Sequence, residues 1–570
     1  MSIATGKYHI WTVGCQMNQA DSQRVSGILD SLGWEEVPNM DAANLVVLNT
    51  CSVREQPEKR AHGQLSLLGH AKKRRQDLLV AMMGCMIGNQ RTIDDLKKRY
   101  PTVDLFFKVE SADILPRFLE ERWTPIAGEG CVDFADLGAP RTIGVSERLP
   151  MLPMAALPVT PLRRNGEYLP DDGDADTPDG AVGALPAAPA DSDGVGAHRV
   201  RPAVSDIKSP MQITPRPAAR DLHYPTAEAT GMRMRGPAAF LPVVLGCNKV
   251  CSYCIVPSRR GVERSRPMDE LLEEARDLVT LGARELTLLG QTVEAYGLDL
   301  PANGDLGDLM ERLSEIDDLK RIRFMTSYPR HMTDKMIQQM ASLPKVCEHV
   351  NIPVQHGDDN VLQRMRRGYT LAEYRALIGR LRAWWPGVSL STDVIVGFCG
   401  ETAEEFQHTL DLLEEIRFDV VHVAAYSPRP GTLSYKWEDD VPLEVKKQRL
   451  HAVEAVQEHI AREQNEPYQG RVEEVLIETH QVAGGQHQWR GRTRTNKLVF
   501  FPATKPSATS QAPRNEHAGS DIGVAVLSSS TSTRGETRVA TRADVRPGDL
   551  VPVQIEKTTP WSLQGRLLSR

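Results

Sequence analysis

The stretch Gly246-Cys247-Asn248-Lys249-Val250-Cys251-Ser252-Tyr253-Cys254 places three cysteines close together, and it directly follows an apolar segment at residues 240–245. Apolar segments of strand length recur downstream, separated by stretches with helical periodicity. Strands are expected at residues 240–245, 285–289, 321–326, 349–353, 389–396 and 420–426. This alternation predicts an open or partial parallel (βα)6 barrel, with the cysteines at the carboxyl end of its first strand.

The C-x3-C-x2-C spacing allows three thiolates to hold one metal centre. A structural zinc site requires four ligands, and no fourth Cys or His stands near these three in the sequence. Three cysteines on a 4Fe–4S cluster leave one iron open to a further ligand. The alternative from another class of protein is a zinc site completed by a distant residue, in a non-catalytic RNA-binding module.

A second set of cysteines lies upstream, in a segment that predicts a parallel α/β sheet. Strands are expected at residues 8–13, 44–49 and 78–83, and they are followed by Cys15, Cys51 and Cys85 respectively. Because ligand sites in parallel sheets lie at the carboxyl ends of the strands, these thiols are expected to meet. They are either three unrelated buried thiols or the ligands of a second cluster with its own open iron, which could hold or deliver sulfur.

Composition limits the class of protein. The 570 residues suggest three or four domains, and the formal charge of −7 argues against a protein that coats nucleic acid all over. No apolar run approaches the ~20 residues of a membrane helix, and no secretory signal is visible at the N-terminus. We therefore expect a cytoplasmic protein. An odd count of 9 cysteines in such a chain argues against a disulfide framework.

The chain divides into four segments. We expect an N-terminal α/β domain at 5–123, a Pro/Ala/Asp-rich, largely disordered insertion at 124–236, the barrel core at 237–466, and a small β domain at 467–570. Strands of the β domain are expected at residues 472–477, 498–501 and 550–555, and residues 503–545 form a second flexible insertion.

Several motifs together carry a family resemblance that covers all but the two insertions. They are Gly14-Cys15-Gln16-Met17-Asn18, Asn49-Thr50-Cys51-Ser52-Val53-Arg54-Glu55, Gly84-Cys85-Met86, the first cysteine stretch with Arg260-Gly261 and Arg264-Ser265-Arg266 after it, Gly290-Gln291-Thr292-Val293, Pro353-Val354-Gln355 and Tyr426-Ser427-Pro428-Arg429-Pro430-Gly431-Thr432. The chain resembles the methylthiotransferases of the radical SAM superfamily. The Gln-Met-Asn after Cys15 is similar to the MiaB-type group, the tRNA-2-methylthio-N6-dimethylallyladenosine synthases.

The resemblance implies two 4Fe–4S clusters and S-adenosylmethionine (SAM) as cofactors. The first set, Cys247, Cys251 and Cys254, would hold the cluster that binds and cleaves SAM to form a 5′-deoxyadenosyl radical. The upstream set, Cys15, Cys51 and Cys85, would hold an auxiliary cluster. Contacts to SAM are expected from Tyr253, which lies between two ligands, and from the strand residues Asp393, Ile395 and Gly397.

The implied reaction is methylthiolation of carbon 2 of N6-isopentenyl-adenosine at position 37 of tRNA, with two SAM molecules used. A methylthiotransferase acting on threonylcarbamoyl-adenosine in tRNA or on a ribosomal protein is the alternative. The implied partners are the tRNA anticodon stem-loop, a one-electron reductant such as flavodoxin or ferredoxin, and a sulfur-supply system. We expect a monomer with no membrane association.

Two basic clusters are candidates for RNA contact. The C-terminal domain resembles a TRAM domain, and its segment 489–497 contains the candidates Trp489, Arg490, Arg492, Arg494 and Lys497. These residues either neutralise phosphates and stack on a base, or form a solvated hairpin edge. The second cluster follows the first cysteine set and would guide the anticodon loop or pair with the SAM carboxylate; it comprises Arg259, Arg260, Arg264 and Arg266.

The chain departs from the family pattern at two positions. His356 stands where the family usually has Ser, and we expect a partly exposed polar residue there. Cys399 stands where Pro is usual, and it is expected to be a small packing residue, with a position near SAM and sensitivity to oxidation as the alternative. Cys347 is expected to pack in the core.

Overall fold

The structure is a computed structural model, and it describes residues 5–52, 55–75, 77–88, 90–123, 234, 236–300, 304–503 and 545–568. The two predicted insertions, with Cys131 in the first, lie almost wholly outside the described residues. Along the described part of the chain no helix combines the length and the apolar character that crossing a membrane requires.

The N-terminal segment forms a five-stranded parallel sheet with strand order β2-β1-β3-β4-β5. Every residue of β3 is buried, as expected for a parallel strand covered on both faces. The predicted strands of this domain are confirmed within about two residues. The elements are β1 (Lys7–Thr12), α1 (Gln16–Ser31), β2 (Glu35–Glu36), β3 (Leu45–Thr50), α2 (Glu55–Arg74), β4 (Leu79–Gly84), α3 (Gln90–Arg99), β5 (Leu105–Phe106) and α4 (Ile114–Arg122).

Six parallel strands form the predicted partial barrel. They pair in the orders β6-β9-β10 and β11-β12-β13, and a bridge between Ile322 and Val346 joins the two groups. The elements are β6 (Ala238–Pro242), β7 (Val244–Leu245), α5 (Val256–Arg260), β8 (Arg264–Ser265), α6 (Met268–Thr280), β9 (Glu285–Leu289), α7 (Leu306–Ser314), β10 (Arg321–Met325), α8 (Asp334–Ser342), β11 (His349–Asn351), α9 (Asp359–Arg364), α10 (Leu371–Trp384), β12 (Ser389–Val396), α11 (Ala403–Ile416), β13 (Val420–Ala425) and α12 (Leu443–Asn465).

The C-terminal segment is a closed β-barrel with strand order β14-β15-β16-β18-β17. Three of its strands match the predicted ones, and two were missed because their sequences lack a run of β-branched or aromatic residues. The strands are β14 (Val472–Ala483), β15 (Gln486–Arg492), β16 (Leu498–Pro502), β17 (Leu550–Thr558) and β18 (Leu563–Leu567).

The two outer domains pack at opposite ends of the central strands. The N-terminal core includes Leu245, Leu289 and Met325, which end β7, β9 and β10, so this domain covers the carboxyl ends. The C-terminal barrel contacts the amino ends, because Arg321, the first residue of β10, donates to the Arg492 carbonyl at 2.7 Å. A ligand at the carboxyl ends would therefore lie between the barrel and the N-terminal domain.

Two candidate cluster sites at one domain interface

The loop with the first cysteine set begins at a glycine that no other residue can replace without movement. Gly246 has φ of +76°, and a Cβ there would lie 2.1 Å from the Val262 carbonyl oxygen. The amide of Cys247 donates to the Gly261 carbonyl at 3.1 Å, which closes the loop onto the segment after α5. The middle of the loop is held at Ser252, because the amide of Ser252 donates to the Met365 carbonyl at 3.0 Å.

Two thiols of this loop, Cys247 and Cys254, lie in surroundings that oppose negative charge. Burial raises the pKa of Cys254 to about 12, and the neighbouring Cys251 raises it further. Burial likewise raises the pKa of Cys247. One cation is already present, because Arg367 Nη1 donates to Cys251 Sγ at 3.4 Å. The set therefore fits a group that brings positive charge to the thiolates, as iron does.

The second set meets at the carboxyl ends of three adjacent strands. Cys15 is the N-cap residue of α1 and follows Gly14, where a Cβ would lie 2.9 Å from the Cβ of Cys51. The amide of Cys85 donates to the carbonyl of Thr50 at 2.8 Å, so Cys85 lies beside the strand that precedes Cys51. The expectation that parallel strand ends bring these cysteines together agrees with this geometry.

The side chain of Asn18 contacts two thiols of the second set. Its Oδ1 lies 3.5 Å from Cys15 Sγ and 4.0 Å from Cys85 Sγ. Its Nδ2 donates to the Thr50 carbonyl at 2.9 Å and to Asn49 Oδ1 at 3.1 Å, which fixes the orientation of the amide. Asn18 belongs to the Gly14–Asn18 motif, but the sequence gives no signal of its contact with two thiols.

Arg260, which follows the loop of the first set, contacts Asn18. Its guanidinium donates to Asn18 Oδ1 at 3.0 Å and to Asp21 Oδ2 at 3.1 Å. Burial raises the pKa of the Cys85 thiol, and the charge of Arg260 opposes that rise. The two cysteine sets thus face one interface and are linked by one side chain.

The other arginines after the first set also make contacts within the chain. Arg259 Nη1 donates to Thr92 Oγ1 at 3.1 Å, and Arg266 Nη1 lies 2.7 Å from a carboxylate oxygen of Glu274. Buried Glu274 also pairs with Arg24 of α1. These contacts give Arg259 and Arg266 roles within the chain. Guidance of RNA or binding of the SAM carboxylate by this cluster stays a prediction.

Neither set is arranged for a single ion. In the described ranges no group of three or more His, Cys, Asp or Glu side chains converges closely enough to hold one metal ion. A zinc ion requires its ligands around one point, whereas the irons of a cubane cluster are bound at separate corners. Three thiolates in each set are the donors that a 4Fe–4S cluster with one open iron requires.

The structure brings together some of the residues predicted to contact SAM. Tyr253 and Ile395 pack against one small apolar cluster, in which the ring of Phe398 meets Tyr253 edge-on at 6.4 Å. Asp393 lies deeper in the barrel, where its Oδ2 accepts from Asn351 Nδ2 at 3.3 Å. Gly397 has φ of +70° and lies under the side chain of Lys446. Contact of these four residues with SAM stays a prediction.

The basic segment of the C-terminal domain is not an exposed patch. Arg490 and Arg492 pair with Glu478, Arg494 pairs with Glu348 at 2.7 Å, and Lys497 pairs with Asp419 at 2.5 Å. Arg490, Arg492 and Lys497 are buried, and Trp489 packs against the core of the β-barrel. The solvated hairpin edge is wrong, because acids within the β domain and at the barrel's amino end pair with these cations. RNA contact through Trp489, Arg490, Arg492, Arg494 and Lys497 stays a prediction.

His356 also differs from its prediction. It is fully buried rather than partly exposed, because its Nδ1 accepts from the Asp358 amide at 3.1 Å and its Nε2 lies 3.7 Å from Glu401. Cys399 is buried in the apolar cluster near Tyr253, as a packing residue would be, and burial raises the pKa of its thiol to about 11. Cys347 is buried as expected.

Known protein families match both the barrel and the N-terminal domain, which carry the two cysteine sets. Residues 241–413 match the model of the radical SAM superfamily, and residues 7–108 match the uncharacterized protein family UPF0004. A relative from Chloroflexus aurantiacus is 35% identical over 564 residues, covering 98% of this chain and 91% of the relative. One from Herpetosiphon aurantiacus is 38% identical, with 87% and 91% covered, and one from Dictyoglomus thermophilum is 36% identical, with 88% and 93% covered.

The partial barrel with its three-cysteine loop, together with this match, defines a radical SAM enzyme. All three relatives carry the name tRNA-2-methylthio-N(6)-dimethylallyladenosine synthase. The chain belongs to this family, and the resemblance found in its motifs is confirmed.

Proposed function

We propose that the protein methylthiolates carbon 2 of N6-isopentenyl-adenosine at position 37 of tRNA. The observation that carries this proposal is the meeting of two three-cysteine sets at one interface, where Arg260 donates to Asn18 at 3.0 Å. A radical source and a sulfur-bearing cluster at one place are what sulfur insertion into a C–H bond needs. The names of the relatives indicate the substrate.

In this proposal Cys247, Cys251 and Cys254 hold the SAM cluster, and Cys15, Cys51 and Cys85 hold the auxiliary cluster. When bound, these groups and SAM supply one-electron reduction, a radical and sulfur. The chain supplies placement: Gly246 and Gly84 set the two loops, and Arg367 holds Cys251 through its sulfur. The N-terminal domain covers the carboxyl ends of the barrel strands and so excludes water from the reacting groups.

The remaining parts of the proposal concern organisation and partners. The N-terminal, barrel and C-terminal domains are proposed to span 5–123, 237–466 and 467–570. The enzyme acts as a cytoplasmic monomer on the anticodon stem-loop, with electrons from a flavodoxin or ferredoxin and sulfur from a supply system. Because internal acids already neutralise the basic segment, Trp489, Arg490, Arg492, Arg494 and Lys497 would contact RNA only alongside their roles inside the domain.

Iron and sulfide counts after anaerobic reconstitution test the cluster assignment. We expect about eight irons in the wild type and about four in each triple Cys→Ala variant, one for each cysteine set. About four irons in the wild type and none in the variant of the first set would contradict the auxiliary cluster. Mass spectrometry of tRNA with and without the isopentenyl group then tests the substrate. Product on threonylcarbamoyl-adenosine tRNA alone would contradict the specificity.

A further inference from the structure

Arg260 belongs to the loop of the first cysteine set in both sequence and structure. It ends α5, which begins two residues after Cys254. The next residue, Gly261, has φ of +83° and accepts the Cys247 amide at 3.1 Å. Any movement of Arg260 is therefore coupled to the loop that holds this set.

The acceptors of Arg260 belong instead to the second set. Asn18 and Asp21 lie one turn apart on α1, which starts directly after Cys15, and both are buried. The Arg260–Asp21 pair is largely shielded from solvent, since the side chains are 12% and 2% exposed. Because the planar guanidinium donates to two fixed acceptors, it sets both the distance and the orientation between the loop of the first set and α1.

One oxygen receives the contacts from both sides. Asn18 Oδ1 lies 3.0 Å from the Arg260 guanidinium, 3.5 Å from Cys15 Sγ and 4.0 Å from Cys85 Sγ. The Nδ2 side of the same amide is fixed by the Thr50 carbonyl, so the amide cannot rotate without losing those bonds. The Asn18 side-chain amide therefore connects the loop of the first set rigidly to two thiols of the second set.

We propose that Arg260 is a positioning residue for the auxiliary cluster, which it holds opposite the SAM cluster by fixing Asn18 and Asp21. The proposal rests on the proposed function, since it takes both cysteine sets as cluster ligands. Two consequences follow. The geometry couples radical formation at one cluster to sulfur transfer at the other, and the positive charge favours the reduced, more negative state of the auxiliary cluster.

Arg260→Gln removes the charge and one donor, Arg260→Lys keeps the charge without the planar fork, and Asp21→Asn weakens the ion pair from the other side. Arg429→Gln is the matched control, because Arg429 also pairs across the same interface, with Glu58 at 2.6 Å, but does not touch Asn18. All are measured as reconstituted full-length enzyme. The auxiliary cluster is identified as the reduced-state EPR signal that SAM does not change.

We expect Arg260→Gln to lower the equilibrium constant for reduction of the auxiliary cluster by about tenfold. This corresponds to a reduction potential about 59 mV lower for one electron. Methylthiolated product per 5′-deoxyadenosine should fall at least tenfold, while SAM cleavage continues. Arg260→Lys should keep most of the reduction potential of the auxiliary cluster but lower the ratio of methylthiolated product to 5′-deoxyadenosine, which measures coupling. Asp21→Asn should lower this ratio in part. Arg429→Gln should match the wild type in both readouts.

Unchanged potential and coupling in Arg260→Gln would overturn the proposal, and so would equal losses in Arg429→Gln, since those would reflect only a loosened interface. If Arg260→Gln does not fold, Arg260→Lys and Asp21→Asn decide by the same criteria. A wild type that holds both clusters but makes no methylthiolated product contradicts the proposed function instead. In that case the potential of the Arg260 variants still tests the positioning role.

Discussion

Arg494 and Glu348 form a two-bond ion pair, with Nε 2.8 Å from one carboxylate oxygen and Nη2 2.7 Å from the other. Glu348 precedes β11, and Arg494 lies in the turn between β15 and β16. The pair therefore fastens the C-terminal barrel to the amino end of the central strands. It gives a structural role to an arginine that the sequence had suggested for RNA.

Arg494→Ala should lower stability, because it removes the ion pair between the two domains. Both side chains are about a quarter exposed, 28% and 27%, so solvent screening limits the loss to about 1 kcal/mol. Thermal unfolding checks the stability. The salt dependence of tRNA affinity separately tests the proposed RNA contact, because a lost phosphate contact would reduce the slope of log affinity against log salt concentration by about 1.

Arg566→Ala is the control for this change. Arg566 pairs with Glu556 at 2.9 Å within the same β-barrel, but both side chains are about half exposed. We expect little effect on stability there. A reduced salt slope together with unchanged thermal stability in Arg494→Ala would show that Arg494 contacts RNA, contrary to the interface role.

Gly84→Ala should remove the auxiliary cluster without removing a ligand. Gly84 has φ of +93°, and a Cβ there would lie 2.4 Å from the Thr50 carbonyl oxygen, which is backbone and cannot swing away. Relief of this clash must move Cys85 away from Cys51. Iron counting should give about four irons instead of about eight, with SAM cleavage retained.

Gly63→Ala is the matched control, because Gly63 lies inside α2 and a Cβ there meets nothing within 4 Å. Alanine at a helix interior should stabilise the protein by up to about 1 kcal/mol and leave the iron content unchanged. A Gly84→Ala enzyme that kept all of its iron would contradict the assignment of Cys85 as a ligand held by this turn.

The sequence predicted the strands and the cysteine sets because both depend on local patterns. Buried parallel strands require continuous apolar runs, and Cys15, Cys51 and Cys85 each follow such a run within a few residues. The register of neighbouring strands then brings these residues together without further information. The missed strand β15 contains Gln486, His487 and Gln488, which are not typical strand residues.

The contacts of the basic residues could not be predicted in the same way. Arg260 lies 239 residues from Asp21 in the chain, and Arg494 lies 146 residues from Glu348. A charge that lies without a local counter-ion in sequence is indistinguishable from an exposed one until its tertiary partner is placed. The burial of His356 depends equally on α11, which lies about fifty residues downstream.

His356→Ser, which introduces the residue usual in the family, should destabilise the protein by about 2 kcal/mol. His356 is fully buried, so the smaller side chain leaves a cavity beside Thr409 and Glu401. The iron content should not change, because no cysteine of either set contacts this position. His451→Ser, at an exposed histidine of α12, should have little effect on unfolding. Loss of iron in His356→Ser would contradict a purely structural role.

Glu294 should make stability fall as the pH rises. It follows β9, it is 2% exposed, and burial raises its pKa from 4.5 to about 7. The Tyr328 amide, which donates to Oε2 at 3.0 Å, only partly offsets this burial. The folded state therefore keeps its proton at pH values where the unfolded chain has already lost it.

Below about pH 4.5 both states are protonated and Glu294 contributes no pH dependence. Between pH 4.5 and about 7 the unfolded state binds fewer protons, so stability decreases by up to roughly 3 kcal/mol and then levels off. Glu294→Gln keeps the shape and an acceptor for Tyr328 but cannot ionise. Its melting temperature should equal that of the wild type near pH 5 and exceed it at pH 8. Parallel melting curves for the two proteins across this range would instead show that Glu294 titrates normally in the fold.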